Sequence, residues 1–264
     1  MRKTLLVIGL IAGLVFILSS CEKKVYVVEP DTTPPSSPKG VYSITGDESI
    51  YIDWEANDES DLKNYRIYRT LDPDNGFSYL VSTTISQHTD LDVNNGTTYY
   101  YIITATDYSG NESEVSKAIY DTPRPEGFNE TLYDMAVSPN NSGFFFDGQQ
   151  VVPWNDLDCD IYLDKVSGIF YLNATEGTDI QDFGYTDDLD DINVAPDTSI
   201  GWSQLGYVEV ILGHTYIIWT WDNHYAKLRI TDIYTNYIRF DWAYQTAVGN
   251  PELKVVPKRI ANKK

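Results

Sequence analysis

The chain is poor in the residues on which most catalytic sites depend. Its 264 residues include two cysteines, two methionines and three histidines, which leaves little general-base chemistry near neutral pH. The sequence contains no HExxH, CxxC or Gly-x-Ser-x-Gly pattern and no glycine-rich phosphate loop. We therefore predict a protein that is not an enzyme and has no resident cofactor. Asp and Glu are abundant, so a carboxylate pair for glycoside hydrolysis stays open as an alternative.

Positive charge is also scarce. Lys and Arg number 19 against 39 Asp and Glu, which gives a formal net charge of −20. Such a chain repels phosphate groups, so we expect no nucleic acid partner. Asp156, Asp158 and Asp160 have the spacing of a calcium loop. That loop needs glycine and glutamate where this sequence has Ile161 and Ser167, so we predict no metal site.

Long apolar runs are missing except near the first residue. The run from Leu5 to Leu18 is about 14 residues long, whereas a bilayer-spanning helix needs roughly 20. It follows the basic residues Arg2 and Lys3 and ends at small residues. A basic head, an apolar middle and a small-residue end are the three parts of a secretory leader.

The end of this leader, Leu18-Ser19-Ser20-Cys21, resembles the lipobox of bacterial lipoproteins. The resemblance implies a signal peptide over residues 1–20 and a mature N-terminus at Cys21. More than one acyl chain, such as palmitate, is implied there, because a single chain holds a protein on a bilayer only marginally. Residues 21–34 then form the acylated cysteine and a proline-rich stalk. We expect membrane association through this anchor, at the outer membrane or surface of a bacterial cell envelope.

Tyrosine is abundant, with 21 residues, and much of the chain consists of short alternating runs separated by turn residues. Such runs are typical of strands. We therefore predict an all-β protein. Roughly seven strand patterns fall within residues 35–122, which is the number expected of a Greek-key sandwich.

Residues 35–122 resemble a fibronectin type III domain. The resemblance rests on Trp54 in the second strand, the strand Tyr65-Arg66-Ile67-Tyr68-Arg69, the corner from Val93 to Tyr99 and the hairpin from Ala105 to Ser113. It implies an immunoglobulin-like sandwich in which Trp54 packs in the core. It also implies that the Tyr99 hydroxyl bonds to the backbone of the corner.

Residues 123–130 contain two prolines and a glycine and are predicted to be a linker. A second domain is predicted over residues 131–257, followed by a basic tail over 258–264. Alternation over residues 157–163 predicts a strand that buries Cys159 as an inert thiol. Later, two alternating strands surround Asp222-Asn223 and predict a hairpin, and a third strand follows them.

This hairpin resembles the C-terminal part of the HmuY-type haem-binding lipoproteins of Bacteroidota. The matching residues are His224 to Asp232 and Phe240 to Tyr244, with weaker matches at Ile180 to Gly184 and Gly201-Trp202. The resemblance implies a second antiparallel β-sandwich-like domain and makes haem or another porphyrin an alternative ligand. Haem capture of this kind needs paired axial side chains. We expect His214 and His224 near opposite ends of one strand, where they do not hold one iron.

Five residues of this region are the candidates for ligand binding: Trp219, Trp221, Tyr225, His214 and His224. Trp219 and Trp221 are expected to share one face of a strand, with Tyr225 after the turn. Aromatic rings at strand spacing fill a core or, when exposed, stack on sugar rings or a flat ligand. Our leading hypothesis is a non-catalytic binding module, in which a fibronectin type III spacer presents a distal domain to a protein, glycan or porphyrin ligand. A glycan-binding accessory protein or weak glycan hydrolase is a further alternative.

Overall fold

The computed structural model of the chain describes residues 29–196 and 199–253. The predicted signal peptide, Cys21, most of the predicted stalk and the predicted basic tail lie outside the described residues. The strands lie in a compact unit that begins at Thr33. Within the described part of the chain, the helices are too short or too polar to span a bilayer.

Seven strands form the first sandwich, as the alternating pattern predicts. They are β1 (Lys39–Gly46), β2 (Ser49–Glu55), β3 (Leu62–Thr70), β4 (Ser78–Thr83), β5 (Gln87–Asp90), β6 (Tyr99–Asp107) and β7 (Ile119–Asp121). One antiparallel sheet has the order β1-β2-β5 and the other has the order β4-β3-β6-β7. The two sheets make an immunoglobulin-like sandwich, so the predicted fold of this region is confirmed.

The core of the first sandwich is built from alternate residues of both sheets. Its buried members are Ile50, Ile52, Trp54, Tyr65, Ile67, Val93, Tyr99, Tyr101, Ile103 and Ala105. Trp54 packs edge-on against Tyr65 at 5.1 Å between ring centroids. The Tyr99 hydroxyl accepts a hydrogen bond of 3.0 Å from the backbone N–H of Asn94. The predicted roles of Trp54 and Tyr99 are therefore confirmed.

Ten strands of the described residues form the second sandwich. They are β8 (Glu126–Tyr133), β9 (Gly143–Phe145), β10 (Gln150–Val152), β11 (Ile161–Val166), β12 (Ile169–Ala174), β13 (Asp179–Tyr185), β14 (Tyr207–Glu209), β15 (His214–Trp219), β16 (Tyr225–Ile233) and β17 (Tyr237–Gln245). The short 3-10 helices Pro139–Asn141 and Leu189–Asp191 lie between strands. One sheet has the order β10-β9-β11-β12-β14 and the other β13-β15-β16-β17-β8.

The second core is larger and rich in aromatic side chains. Its buried residues include Phe144, Phe146, Ile161, Leu163, Phe170, Leu172, Tyr216, Ile218, Leu228, Ile230, Phe240, Trp242 and Tyr244. Residues that face this core alternate along each strand with residues that face outward. The chain is thus an all-β protein with a fibronectin type III-like sandwich followed by a second antiparallel sandwich.

The segment 123–130, predicted to be a linker, differs from that expectation. Strand β8 begins at Glu126 and pairs with β17. The Pro123 carbonyl accepts from the Gly96 N–H at 2.9 Å, and the Pro125 carbonyl accepts from the Tyr244 N–H at 3.0 Å. Proline lacks a donor but keeps its acceptor, so these residues still bond to both sandwiches.

The strand predicted over residues 157–163 begins only at Ile161. Leu157 is 99% exposed in a turn, where the Cys159 N–H donates to the Asp156 carbonyl at 3.3 Å. Cys159 is buried nonetheless, as predicted. Burial raises the pKa of its thiol to about 12, so the thiol is a poor nucleophile near neutral pH.

Candidate ligand-binding surface

Two of the aromatic residues singled out in the sequence lie face to face at the end of the hairpin. Trp219 and Tyr225 are opposite one another in the β15–β16 register, and their rings stack 5.9 Å apart with 10° between planes. Trp202 packs against Trp219 at 6.0 Å. The Trp219 indole N–H donates to the Asn223 side chain at 2.9 Å. Trp219 is therefore held on several sides by its own chain.

Trp221 does not share a strand face with Trp219, which corrects the sequence-based expectation. Strand β15 ends at Trp219 because a turn begins there: the His224 N–H donates to the Thr220 hydroxyl at 3.0 Å. Trp221 follows that strand end and is 63% exposed. The two tryptophans therefore do not form a paired platform for a ligand.

The two histidines lie at opposite ends of the hairpin, as expected from their spacing. His214 opens β15, and its Nδ1 is 3.0 Å from Asp182 Oδ1. His224 precedes β16, with Nδ1 3.1 Å from Asp222 Oδ1 and its ring packed on Tyr244 at 5.5 Å. The structure does not bring the two imidazoles together, so a porphyrin ligand stays a prediction without a site built from this pair.

The outer face of the β13-β15-β16-β17-β8 sheet is largely covered by the protein's own chain. Lys227 points from this face and is fully buried. Its ammonium donates to the carbonyls of Ile192 and Leu253, each at 3.1 Å. The Leu253 N–H in turn donates to the Asn193 carbonyl at 2.8 Å. Burial lowers the pKa of Lys227 to about 7, and the nearby Arg124 cation acts in the same direction.

The opposite sheet has an outer face along β11, β12 and β14 over which no other described segment of the chain folds. Ile161, Leu163, Phe170 and Leu172 face the core, so the residues that alternate with them face outward. We call the outward set the open face; it consists of Tyr162, Asp164, Tyr171, Asn173, Tyr207 and Glu209. The register pairs Tyr162 with Asn173 and Asn173 with Tyr207, and it pairs Asp164 with Tyr171 and Tyr171 with Glu209. The open face therefore has two rows that run across the strands.

A cleft of about 250 Å³ lies on the open face. It is lined by Asp164, Val166, Tyr171, Asn173 and Tyr207. The rings of Tyr171 and Tyr207 are nearly perpendicular, with 84° between planes and 5.4 Å between centroids. They form two walls of the cleft, and polar side chains lie beside them.

A second aromatic pair extends the open face past Tyr162. Trp154 packs against Tyr162 at 5.8 Å between ring centroids and is itself exposed. Burial raises the pKa of Tyr162, and the neighbouring Asp164 carboxylate adds to this effect. The Tyr162 hydroxyl therefore remains protonated over the physiological pH range.

Sequence reasoning missed the open face. Tyr162 was visible as an aromatic residue on an otherwise acidic strand face, which was the one available signal. Tyr207 lies in a strand of three residues, and its partner Asn173 is far away in the sequence. Pairing between such distant segments cannot be read from periodicity.

Part of the chain is similar to a glucan-degrading enzyme and to fibronectin type III-like structures. No protein-family model matches the chain. Exoglucanase B of Cellulomonas fimi is 37% identical over 122 residues, which is 44% of this chain and 10% of the exoglucanase. The chain thus spans about a tenth of that relative's length.

Two solved structures are among those that match part of the chain. A Fn3-like protein from Clostridium thermocellum is 22% identical, with a TM-score of 0.31, over 33% of this chain and 92% of the other. The β-1,2-glucanase from Parabacteroides distasonis is 28% identical, with a TM-score of 0.32, over 36% of this chain and 14% of the other. Within this chain, the strand order and the Tyr99 corner give the first sandwich a fibronectin type III-like fold.

Proposed function

We propose that this protein is an exported, lipid-anchored binding protein of a bacterial cell envelope. The leader and the lipobox ending at Cys21 support the anchor, which lies at the outer membrane or the cell surface. The fibronectin type III domain acts as a spacer between the anchor and the second sandwich. The second sandwich carries the ligand-binding surface and performs no chemistry.

The open face is the observation that carries this proposal. Of the two outer faces of the second sandwich, the one that bears Lys227 is covered by the protein's own chain. The other exposes tyrosine rings, carboxylates and an amide around a cleft. Concave surfaces with aromatic walls and a few polar groups are typical ligand sites. Partly exposed aromatic rings are also frequent anchors in binding surfaces.

The similarity to an exoglucanase supports a more specific form of the proposal, in which the protein has an accessory role with glycans. The match takes in a tenth of that enzyme, so the similarity supports an associated module and not a hydrolytic activity. The glycan-binding alternative raised from the sequence is therefore retained. Its proposed site is the open face and no longer Trp219 and Trp221.

The anchor is tested by replacing Cys21 with serine. We expect the wild-type chain to incorporate labelled palmitate and to fractionate with membranes, and the Cys21→Ser variant to do neither. A wild-type protein that stays in the cytosol with its leader intact would overturn the anchoring part of the proposal.

The binding surface is tested separately with a photo-crosslinking amino acid in the full chain. It replaces Tyr207 on the open face or, as a matched control, Tyr108 in the first sandwich; both tyrosines are exposed. We expect irradiated cells to yield a crosslinked envelope component at position 207 and not at position 108. Equal yields at both positions, or none at 207, would show that the open face is not the binding surface.

A further inference from the structure

We propose that the cleft lined by Tyr171 and Tyr207 binds one ring of a neutral, pyranose-based oligosaccharide. The inference rests on the proposed function, since it names the ligand class of the open face. The volume of the cleft, about 250 Å³, is below the roughly 300–1,000 Å³ typical of pockets for drug-sized ligands. A cleft of this size suits a single ring of a ligand whose remainder lies on the surface.

The two tyrosine rings supply two apolar walls of the cleft. Because their planes are nearly perpendicular, a flat ring that stacks on the face of one tyrosine meets the other tyrosine at its side. A pyranose ring presents C–H groups on its faces, and removing them from water against an aromatic face is favourable. Its hydroxyl groups project around the edge of the ring, where the polar residues of the cleft can reach them.

The polar groups match hydroxyls better than they match ions. Asp164 and Glu209 flank Tyr171 in one row and accept hydrogen bonds. Asn173 lies beside Tyr207 in the other row, and its amide both donates and accepts. A hydroxyl group also donates and accepts, so it can use all three residues. The Asn173 amide N–H groups lie 3.5 and 3.4 Å from the Tyr162 and Tyr171 carbonyls. These are long contacts, so the amide can still donate to a ligand hydroxyl, whereas a cation offers it no acceptor.

Charge complementarity excludes acidic glycans. The open face carries two carboxylates and the whole chain has a formal net charge of −20. Uronic acid or sulfated units would be repelled by both. The ligand is therefore a neutral glycan.

The second aromatic pair gives the surface a direction. Tyr162 and Tyr207 lie in the same row on strands two apart, which separates them by about 10 Å at the usual strand spacing. An oligosaccharide that lies across the strands can place one ring in the cleft and another against Tyr162 and Trp154. Longer oligosaccharides should therefore bind more tightly than a disaccharide of the same linkage.

The experiment uses the full mature chain with Cys21→Ser, so that it stays in solution. Calorimetric titrations use cellohexaose, laminarihexaose and mannohexaose as neutral probes, and polygalacturonate and hexalysine as charged probes. We expect at least one neutral probe to bind and the charged probes not to bind. The disaccharide of the bound series should bind at least tenfold more weakly than its hexasaccharide.

The variants locate the site. We expect the double variant Tyr171→Ala/Tyr207→Ala to lose at least tenfold in affinity, and Tyr171→Phe, which keeps the ring, to lose less than threefold. Trp221→Ala is the matched control, because it removes an exposed ring on another surface; its affinity should stay within twofold of wild type. Circular dichroism and melting temperature verify that each variant is folded.

Each other outcome overturns a stated part of the inference. Binding that is lost in Trp221→Ala and kept in the double variant would move the site to the hairpin. Binding of polygalacturonate or hexalysine, or of none of the neutral probes, would overturn the ligand class. In that case the crosslink at position 207 decides separately whether the open face still serves as the binding surface.

Discussion

The two sandwiches hold their buried charges in different ways. In the first, Asp90 accepts from the Arg69 guanidinium at 2.8 Å and from the Tyr101 hydroxyl at 2.8 Å. Asp121, also buried, accepts from the Thr45 hydroxyl at 2.6 Å. Both carboxylates accept hydrogen bonds that are strong because the acceptor is charged. These bonds offset the water that the carboxylates lose on burial.

In the second sandwich, two buried groups, Lys227 and Asp160, have no partner of opposite charge within 3.5 Å among the described residues. The carboxylate nearest to Lys227 is that of Asp190, which is 3.8 Å away and half exposed. Asp160 is buried and accepts from the Phe146 N–H at 2.9 Å. Burial raises the pKa of Asp160 to about 7, and the nearby Asp222 and Asp147 carboxylates reinforce this. In the folded protein, the neutral forms of Lys227 and Asp160 are thus favoured over their charged forms.

The difference teaches where each half of the molecule is sensitive. A paired charge is costly to break at any pH at which it is ionised. An unpaired buried charge makes stability depend on pH between its unfolded and folded pKa values. We therefore expect single truncations to harm the first sandwich most, and pH near neutrality to act on the second.

The largest effect is expected from breaking the pair in the first sandwich. Asp90→Ala leaves the Arg69 guanidinium and the buried Tyr101 hydroxyl without their shared acceptor. We expect a loss of about 3 kcal/mol in the free energy of unfolding, measured by urea denaturation at pH 7. Hydrogen exchange should rise in the first sandwich more than in the second.

The matched control is Asp92→Ala, which removes the exposed partner of the same arginine, 3.1 Å away. Exposed ion pairs contribute under about 1 kcal/mol, so this variant should stay near wild type. A similar loss from both substitutions would mean that burial of the Asp90 pair adds nothing.

A smaller effect of opposite sign is expected at Asp160. The pKa of this group is raised in the folded state, so the unfolded chain loses its proton first as pH rises from about 4 to 7. Folding stability therefore falls over that window because of this group. Asp160→Asn keeps an oxygen for the Phe146 N–H and removes the titration. We expect it to be more stable than wild type by about 2 kcal/mol at pH 8 and to lose this advantage at pH 4.

Urea denaturation of both proteins at the two pH values measures the difference. Asp179→Asn is the control, since Asp179 is exposed on β13; the stability of this variant should follow that of the wild type at both pH values. If the Asp160→Asn variant were less stable than wild type at pH 8, the claim that the ionised Asp160 carboxylate destabilises the fold would be wrong.

Lys227 is expected to make the folding stability rise with pH, opposite to the effect of Asp160. Its folded pKa of about 7 lies below its ordinary value of 10.5, so the unfolded chain binds more protons between the two. Stability therefore rises with pH above 7, by at most about 1.4 kcal/mol per pH unit. We expect a gain of about 1–2 kcal/mol from pH 7 to pH 9 in the wild type and none in Lys227→Met.

The control for this slope is Lys165→Met, because the Lys165 ammonium donates to the Thr235 carbonyl at an exposed site. That variant should keep the wild-type rise in stability between pH 7 and pH 9. If the rise persisted in Lys227→Met, another group would be its source.

The sequence was sufficient for the features that depend on nearby residues. Trp54 and the corner that ends at Tyr99 follow local patterns, and both have the predicted roles. The hairpin around Asp222 was also predicted, although its turn is longer than expected because the Thr220 hydroxyl bonds to the His224 N–H. Because of this turn, β15 ends at Trp219 and Trp221 lies outside the strand.

Features that depend on distant pairing were not predictable. The open face exists because β14 pairs with β12, which places Tyr207 beside Asn173. The burial of Lys227 requires the chain near Ile192 and Leu253 to fold over the sheet. Each requires contacts between segments whose individual patterns carry no record of the partner.

The smallest expected effect is a difference between two tyrosine hydroxyls. Tyr216 in the second sandwich accepts from the Ile211 N–H at 2.8 Å and donates to the Glu209 carbonyl at 2.7 Å. Tyr99 in the first accepts one bond, from the Asn94 N–H. An unmade buried bond costs about 1 kcal/mol or more. We expect Tyr216→Phe to lose about 2 kcal/mol and Tyr99→Phe about 1 kcal/mol, measured by urea denaturation at pH 7. Equal losses, or a larger one from Tyr99→Phe, would mean that the second sandwich depends less on its hydroxyl bonds than these contacts indicate.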